Sequence, residues 1–396
     1  MAIDLENHGD ISIPNYDVQA NSVIISYGEL DKTTVYISKP EIKALFEAME
    51  TLQITDLSTL TSDYDISLLQ NENDLDIILN SAIIHLSISE KILELNDGNL
   101  LIIPKTYANL NPLIITVGSD SNSSHFIDKA EIKALTAAMN ALNVNMISSF
   151  HGGISIGEIS DQTVLDTLLN STIMYATISY QIIDLSVYGI LAISHYDLAG
   201  NTVVISVESS GEIIQYISQT EIENLIQAFD VMGITELSSF DASSSFGLLL
   251  LEQFNQILNS HFLYLSLSNQ VLASLSDRNI EYLQTYFGLI TYQDQDSQIT
   301  IMQKQDLIDF HSAAIALGLN HPEISMIQIQ DLVELTQSDL DIVLNSKIVK
   351  FYITPAVENL AASLSYSLTA SDYEGSLTTN ALTKSTIIAI LDMIVE

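Results

Sequence analysis

The chain has no cysteine, and only twelve lysines and arginines among its 396 residues. Without cysteine there can be no disulfide, no thiolate metal site and no cysteine nucleophile. Secretion stays open, because a surface protein does not need disulfides. Against the few cations stand fifty aspartates and glutamates, for a net charge of -38 spread along the whole chain. A field of that sign repels a phosphate backbone, which is bound mainly by lysine and arginine, so nucleic acid is excluded as a partner. Anionic lipid surfaces are disfavoured for the same reason. Cationic partners, divalent ions and colloidal solubility remain as explanations of the charge. No run of about 18 uncharged apolar residues exists, so direct membrane insertion is not expected. Residue 1 does not open a basic and then apolar leader of the secretory kind. Glycine- or proline-rich linkers are also missing.

What is present is apolar bulk. Hydrophobic residues make up 47% of the chain and charged ones 16%, which is the composition of a folded protein with a large core and not of an acidic disordered tail.

That apolar content is repetitive. A shift of ninety residues lays Glu41, Ile42, Lys43, Ala44 and Leu45 on Glu131, Ile132, Lys133, Ala134 and Leu135, with Lys39 on Lys129, Met49 on Met139 and Leu52 on Leu142. A third copy carries Glu221, Ile222, Leu225 and Ala228, and a more divergent fourth has Asp306 and Leu307. A Leu-Asn-Ser triplet ends at Ser81, Ser171, Ser260 and Ser346, and its asparagines lie 90, 89 and 86 residues apart. The segment from Ile3 to Pro14 aligns with that from Leu93 to Pro104, and Lys384 to Glu396 resembles Lys39 to Thr51. Both ends therefore read as falling inside a repeat, which leads us to expect a longer parent in both directions.

Each unit opens on alternating β-rich segments, Val23 to Tyr27 and Thr34 to Ile37 in the first copy, Leu113 to Val117 in the second and Val203 to Val207 in the third. An amphipathic helix follows, with Ile42, Leu45, Phe46, Met49 and Leu52 at helical spacing. Its start reads as a capping box at Ser38 and Glu41, at Asp128 and Glu131, and at Ser218 and Glu221. In such a box the cap oxygen accepts from the third amide while the glutamate reaches back to the cap amide. A second helical segment, Asp74 to Asn80, and a third, Ala82 to Leu95, are separated by Ser81 as N-cap or fused into one helix. The third is apolar on most sides, as suits a buried helix. The fold class expected is α+β, a tandem array of about four ~90-residue repeats, each a small sheet or hairpin plus about three helices, packed end to end. The expected boundaries are the end of a preceding repeat at 1–9, repeats at 10–98, 99–188, 189–278 and 279–364, and a truncated fifth at 365–396.

This order of strand pair, "EIKAL"-type helix, "LNS-x-I" junction and buried helix resembles the repeats of very large uncharacterised surface proteins of mollicutes and related Firmicutes. The resemblance implies an extracellular or cell-surface setting. It carries no catalytic residues.

Among candidate chemistries, Asp120 to Glu131 matches a calcium-binding loop at Asp120, Asn122, Ser124, Asp128 and Glu131, with Ile127 at the apolar eighth position. Against Ca²⁺ stand His125 in place of the turn glycine, a strand before the loop, and the claim of the capping box on Glu131. A plain strand-to-helix turn is the competing reading. Gly153, Ser155 and Gly157 spell a nucleophile elbow, which needs a strand-to-helix turn and a nearby histidine, but they fall in an interhelical loop. The eight histidines have no paired metal-binding spacing. Asp63, Asp65, Glu72, Asp74 and Asp76 form an acidic cluster whose default reading is a solvated face, and Asn122 and Asn170 begin glycosylation sequons.

A non-catalytic structural or adhesive segment of a giant extracellular repeat protein is the function this pattern favours. Its expected partners are the neighbouring repeats of the same chain and a host or cell-surface ligand. No cofactor is expected beyond the Ca²⁺ candidate. The alternative is an enzyme or inhibitor module with a site formed between repeats, which calls for a cleft of convergent polar groups with shifted pKa values.

Overall fold

The computed structural model describes residues 2–16, 22–28, 34–65, 69, 71–106, 112–118, 123–187, 203–207, 211, 213–235, 249–275, 280–293, 298–319, 327–378 and 380–395. It is a mixed helix and sheet structure, and its strands form small two-stranded sheets. The chain divides into two compact units, one of residues 1–183 with 204–219, the other of residues 184–203 with 220–396.

In the first unit the hairpin Ile24–Tyr27/Thr34–Ile37 is antiparallel, with Ile24 opposite Ile37. The hairpin Ile114–Val117/Ser124–Ile127 repeats that register, Ile114 opposite Ile127. A third pair, Val203–Val207 and Ile213–Ile217, closes the unit. Each of the first two hairpins runs into a lead helix, Lys39–Thr51 or Lys129–Ala141. The chain then passes through a 3-10 turn to a short helix, Glu72–Asn80 or Gln162–Asn170. A long buried helix follows at once, Ala82–Asp97 or Thr172–Val187.

The second unit has lead helices Gln219–Val231, Lys304–Ala316 and Lys384–Val395. Its short helices are Leu251–Ile257 and Gln337–Val343, and its buried helices His261–Ser274 and Lys347–Ser363. An antiparallel hairpin, Ile290–Gln293/Gln298–Ile301, lies between them.

The buried helices are apolar on most sides, which is what allows them to be enclosed. In Ala82–Asp97, Ile83, Ile84, Leu86, Ile88 and Ile92 are all buried. Several of the polar residues inside them are buried as well, Ser87, Ser89 and Thr177 among them, and these return their hydroxyls to the carbonyl four residues back. The helix Ala82–Asp97 ends on Asn99 in the left-handed region (φ 56°), with the Gly98, Asn99 and Leu100 amides folding back to Glu94, Asn96 and Leu95 carbonyls. The helix Ala2–Asn7 ends the same way, with Gly9 at φ 77° and its His8, Gly9 and Asp10 amides bonded to Asp4, Glu6 and Leu5.

One expectation needs correction. Ser38 does accept from the Glu41 amide, the first half of a capping box. The second half is absent, because the Ser38 and Asp128 amides already donate to the Val23 and Leu113 carbonyls at 2.9 and 2.8 Å. The glutamates are thereby released for a partner forty residues away.

Candidate functional site

The starts of three buried helices are where the glutamates go. Glu41 is buried, and its Oε1 accepts from Ser81 Oγ at 2.6 Å and from the Ile83 amide at 3.1 Å, while Oε2 accepts from the Ala82 amide at 3.1 Å. Glu131 makes the same three bonds to Ser171 Oγ, Ile173 and Thr172 at 2.7, 2.9 and 3.0 Å. Glu221 makes them to Ser260 Oγ, Phe262 and His261 at 2.7, 3.1 and 3.0 Å. Ser81, Ser171 and Ser260 cap the amide three residues on, and their own amides bond the end of the short helix. All four amides that a helix start leaves open are therefore satisfied away from water. The carboxylate also lies at the positive end of the helix dipole. Burial nevertheless raises the Glu131 and Glu221 pKa values, and the hydrogen bonds offset that only in part.

A second recurring arrangement joins the buried helix to the next hairpin. Four residues past the capping serine, the His85 Nε2–H donates to the Ile127 carbonyl at 2.7 Å. Eight residues past it, Ser89 Oγ accepts from the Ile127 amide at 2.9 Å. Tyr175 and Ser179 hold the Ile217 carbonyl and amide in the same way, at 2.5 and 3.3 Å. In the second unit Tyr264 and Ser268 do so for Met302, the amide at 2.7 Å. Thr354 holds the Leu382 amide at 2.9 Å. Aromatic contacts close these joints: His85 lies 4.9 Å from Phe126, and Tyr175 stacks on Tyr216 at 5.4 Å.

Three lysines lie at contacts between a lead helix and the preceding short helix. Lys129 donates to Asn80 Oδ1 at 3.4 Å, and Lys384 to Asn345 Oδ1 at 2.7 Å, so a lead-helix lysine meets the C-terminal end of the preceding short helix, where positive charge is favoured. Lys133 pairs with Asp76 at 2.5 Å and Glu72 at 3.6 Å. Beside it lies a 310 Å³ pocket lined by Leu69, Leu75, Ala134, Ala137, Thr167 and Asn170. The hydrogen bond to Asp76 raises the Lys133 pKa, which favours the ion-paired form of this amine.

The residues singled out in the sequence are distributed as follows. Of the calcium-loop candidates, Asp120 and Asn122 lie outside the described residues. Ser124 opens a strand opposite Val117, Asp128 accepts from the Ala130 amide at 2.8 Å, and Glu131 is held in the carboxylate junction. No hydrogen bond joins the three. Among the described residues there is no group of three or more histidine, aspartate or glutamate side chains placed to hold a metal ion. Ser155 precedes the short helix Ile156–Ile159 in a relaxed conformation (φ -76°). Among the described residues no hydrogen bond ties its hydroxyl to a histidine, and His151 Nδ1 accepts from the Gly153 amide. His195 lies outside the described residues. Asp63 is more than a solvated charge, since it accepts from both the amide and the hydroxyl of Ser148.

The pairing of buried-helix side chains with the next hairpin was missed in the sequence. A signal for it existed, a serine or threonine eight residues after each capping serine: Ser89, Ser179, Ser268 and Thr354. Among the described residues, no helix is long and apolar enough to cross a membrane. Compared with known proteins, the chain matches no protein family, no curated protein and no solved structure.

Proposed function

We propose that the chain is a non-catalytic structural or adhesive segment of a giant extracellular repeat protein, a tandem array of about four ~90-residue repeats that presents surface to a host or cell-surface ligand. The observation that carries this reading is the carboxylate junction, built three times from a glutamate, a capping serine and two helix amides in the same geometry. A protein that reproduces a scaffold joint and sets Lys129, Lys133 and Lys384 between its helices is organised around holding units in register. Catalysis needs one unique constellation of poised groups, and the titratable groups at these seams are consumed in structural bonds. The setting outside the cell is supported by the resemblance to mollicute and Firmicute surface repeats, and the acidic surface suits a solvated, extended array.

A second reading, an enzyme or inhibitor module, takes the 310 Å³ pocket beside Lys133 as its site. Antibodies raised against residues 39–97 separate the two. The array reading expects them to label intact, unpermeabilised source cells. Labelling only after permeabilisation, or an activity of the purified chain that is lost in Lys133→Ala without loss of folding, contradicts it.

A further inference from the structure

The hairpin Ile24–Tyr27/Thr34–Ile37 has the register of the hairpin Ile114–Val117/Ser124–Ile127, yet its second strand is far more exposed. Tyr36 is 56% exposed, whereas its counterparts Phe126, Tyr216 and Ile301 are 4%, 1% and 2% exposed. Ile25 is exposed much as its counterpart Ile115 is, at 41% against 38%, so the difference lies on the side of Tyr36 and Ile37. The cause lies in what covers the other three. Ile127, Ile217 and Met302 are fully buried, and each has its amide and carbonyl taken by a serine and by a histidine or tyrosine of a buried helix. Among the described residues, no side chain bonds the amide or carbonyl of Ile37. The register places both outward, as it does in Ile127. An exposed aromatic beside an unpaired strand edge is a surface that costs free energy to leave in water.

We propose that this hairpin face is a docking surface, and that its occupant is a further helix of the buried-helix kind. Such a helix is apolar, with a histidine or tyrosine four residues after its capping serine and a serine or threonine eight residues after it. The proposal rests on the array reading and adds to it the identity of a binding face and the chemistry of its partner. The three covered hairpins specify that chemistry. The partner's hydroxyl accepts from the Ile37 amide, its imidazole or phenol donates to the Ile37 carbonyl, and its apolar side covers Tyr36. The buried helices of this chain cannot supply that occupant from a second copy without surrendering a joint, because each already holds a backbone amide at Ile127, Ile217, Met302 or Leu382.

The test uses the full chain with residues 8–97 duplicated, so that residues 1–97 run directly into a second copy of residue 8 onward. The added Ala82–Asp97 helix then precedes the copied hairpin by the same sixteen residues that separate Asp97 from Ile114 in the chain itself. Hydrogen exchange is read at Ile37 of the downstream copy and, as an internal standard, at Ile127. The expected result is exchange at that Ile37 at least about tenfold slower than in the unextended chain. Ser89→Ala in the added helix should remove the gain. Protection at Ile127 with none at Ile37 overturns this proposal alone, while exposure at both overturns the joint and the array reading with it. Concentration-dependent dimerisation of the unextended chain that Tyr36→Ser abolishes assigns the face to a second copy and also overturns the proposal.

Discussion

At Ser260 and at Ser346 the second unit builds the same helix start against side chains that differ by one methylene group. Glu221 reaches Ser260 Oγ and two helix amides. Asp306 occupies the corresponding place before Ser346, is equally buried, and reaches none of them. Among the described residues its Oδ2 has no hydrogen-bond partner, and Oδ1 lies 3.7 Å from the Lys347 ammonium. Burial raises the Asp306 pKa, opposed by the lysine. In the last lead helix Thr386 stands at this position and turns instead to Asp372 and Thr383. The comparison teaches that the junction depends on reach as well as charge: a carboxylate must extend two carbons beyond Cβ to bridge from one helix to the N-terminus of another. Where it falls short, a lysine at the first helical position compensates in charge but not in hydrogen bonds.

The largest effect is expected on removing a working junction. Glu131→Ala leaves Ser171 Oγ and two amides buried without an acceptor, and should lower stability by about 3 kcal/mol in denaturant unfolding. Asp306→Ala, which removes no such bonds, should cost under about 1 kcal/mol by the same measurement. If the two cost the same, the contrast drawn between them fails. Asp306→Glu should sharpen it in the other direction, adding about 1–2 kcal/mol as the missing bonds form, and Ser346→Ala in that background should cancel most of the gain.

Ionisation gives a further handle. The Glu131 and Glu221 pKa values are raised above the ordinary 4.5, so the folded state holds the proton more tightly than the unfolded state. The stability this contributes is fully present below 4.5 and is lost as the pH rises through the raised value. His85 and His311, whose pKa values burial lowers, act in the opposite sense over the neighbouring range. The informative quantity is therefore the difference between the wild type and Glu131→Gln. Wild-type stability should fall relative to the variant as the pH rises from 4.5, and a constant difference contradicts the assignment.

The smallest effect concerns calcium. Glu131 is engaged in the junction, so millimolar Ca²⁺ and a monovalent salt matched in ionic strength should shift the melting temperature alike, and Asp120→Ala should leave that equality intact. A Ca²⁺-specific increase that Asp120→Ala removes would make the Asp120 to Glu131 loop a metal site.

Much of the local structure is legible in the sequence because it is decided locally. Ser81 announces itself as an N-cap, the strands Val203–Val207 and Thr34–Ile37 alternate or branch at Cβ, and Ile42 to Leu52 have helical spacing. The destination of Glu41 is not decided locally. Its position three residues after a serine fits a capping box, and only the Val23 carbonyl, which occupies the Ser38 amide, redirects it to Ser81. The joints were obscured for another reason. His85, Tyr175 and Tyr264 share a role as donors to a carbonyl but not an identity, so comparison by residue type passes over them. The buried hydroxyls at Ser89, Ser179 and Ser268 are the trace that periodicity of apolar residues alone does not register.

The central claim is that each glutamate holds the start of its own buried helix. Native-state hydrogen exchange at Ala82 and Ile83, Thr172 and Ile173, and His261 and Phe262 tests it directly, in the wild type and in Glu41→Ala, Glu131→Ala and Glu221→Ala. The account predicts that each variant accelerates exchange at its own pair of amides well beyond any change at the other two. Pairs that stay as protected as in the wild type after loss of their own carboxylate would contradict it.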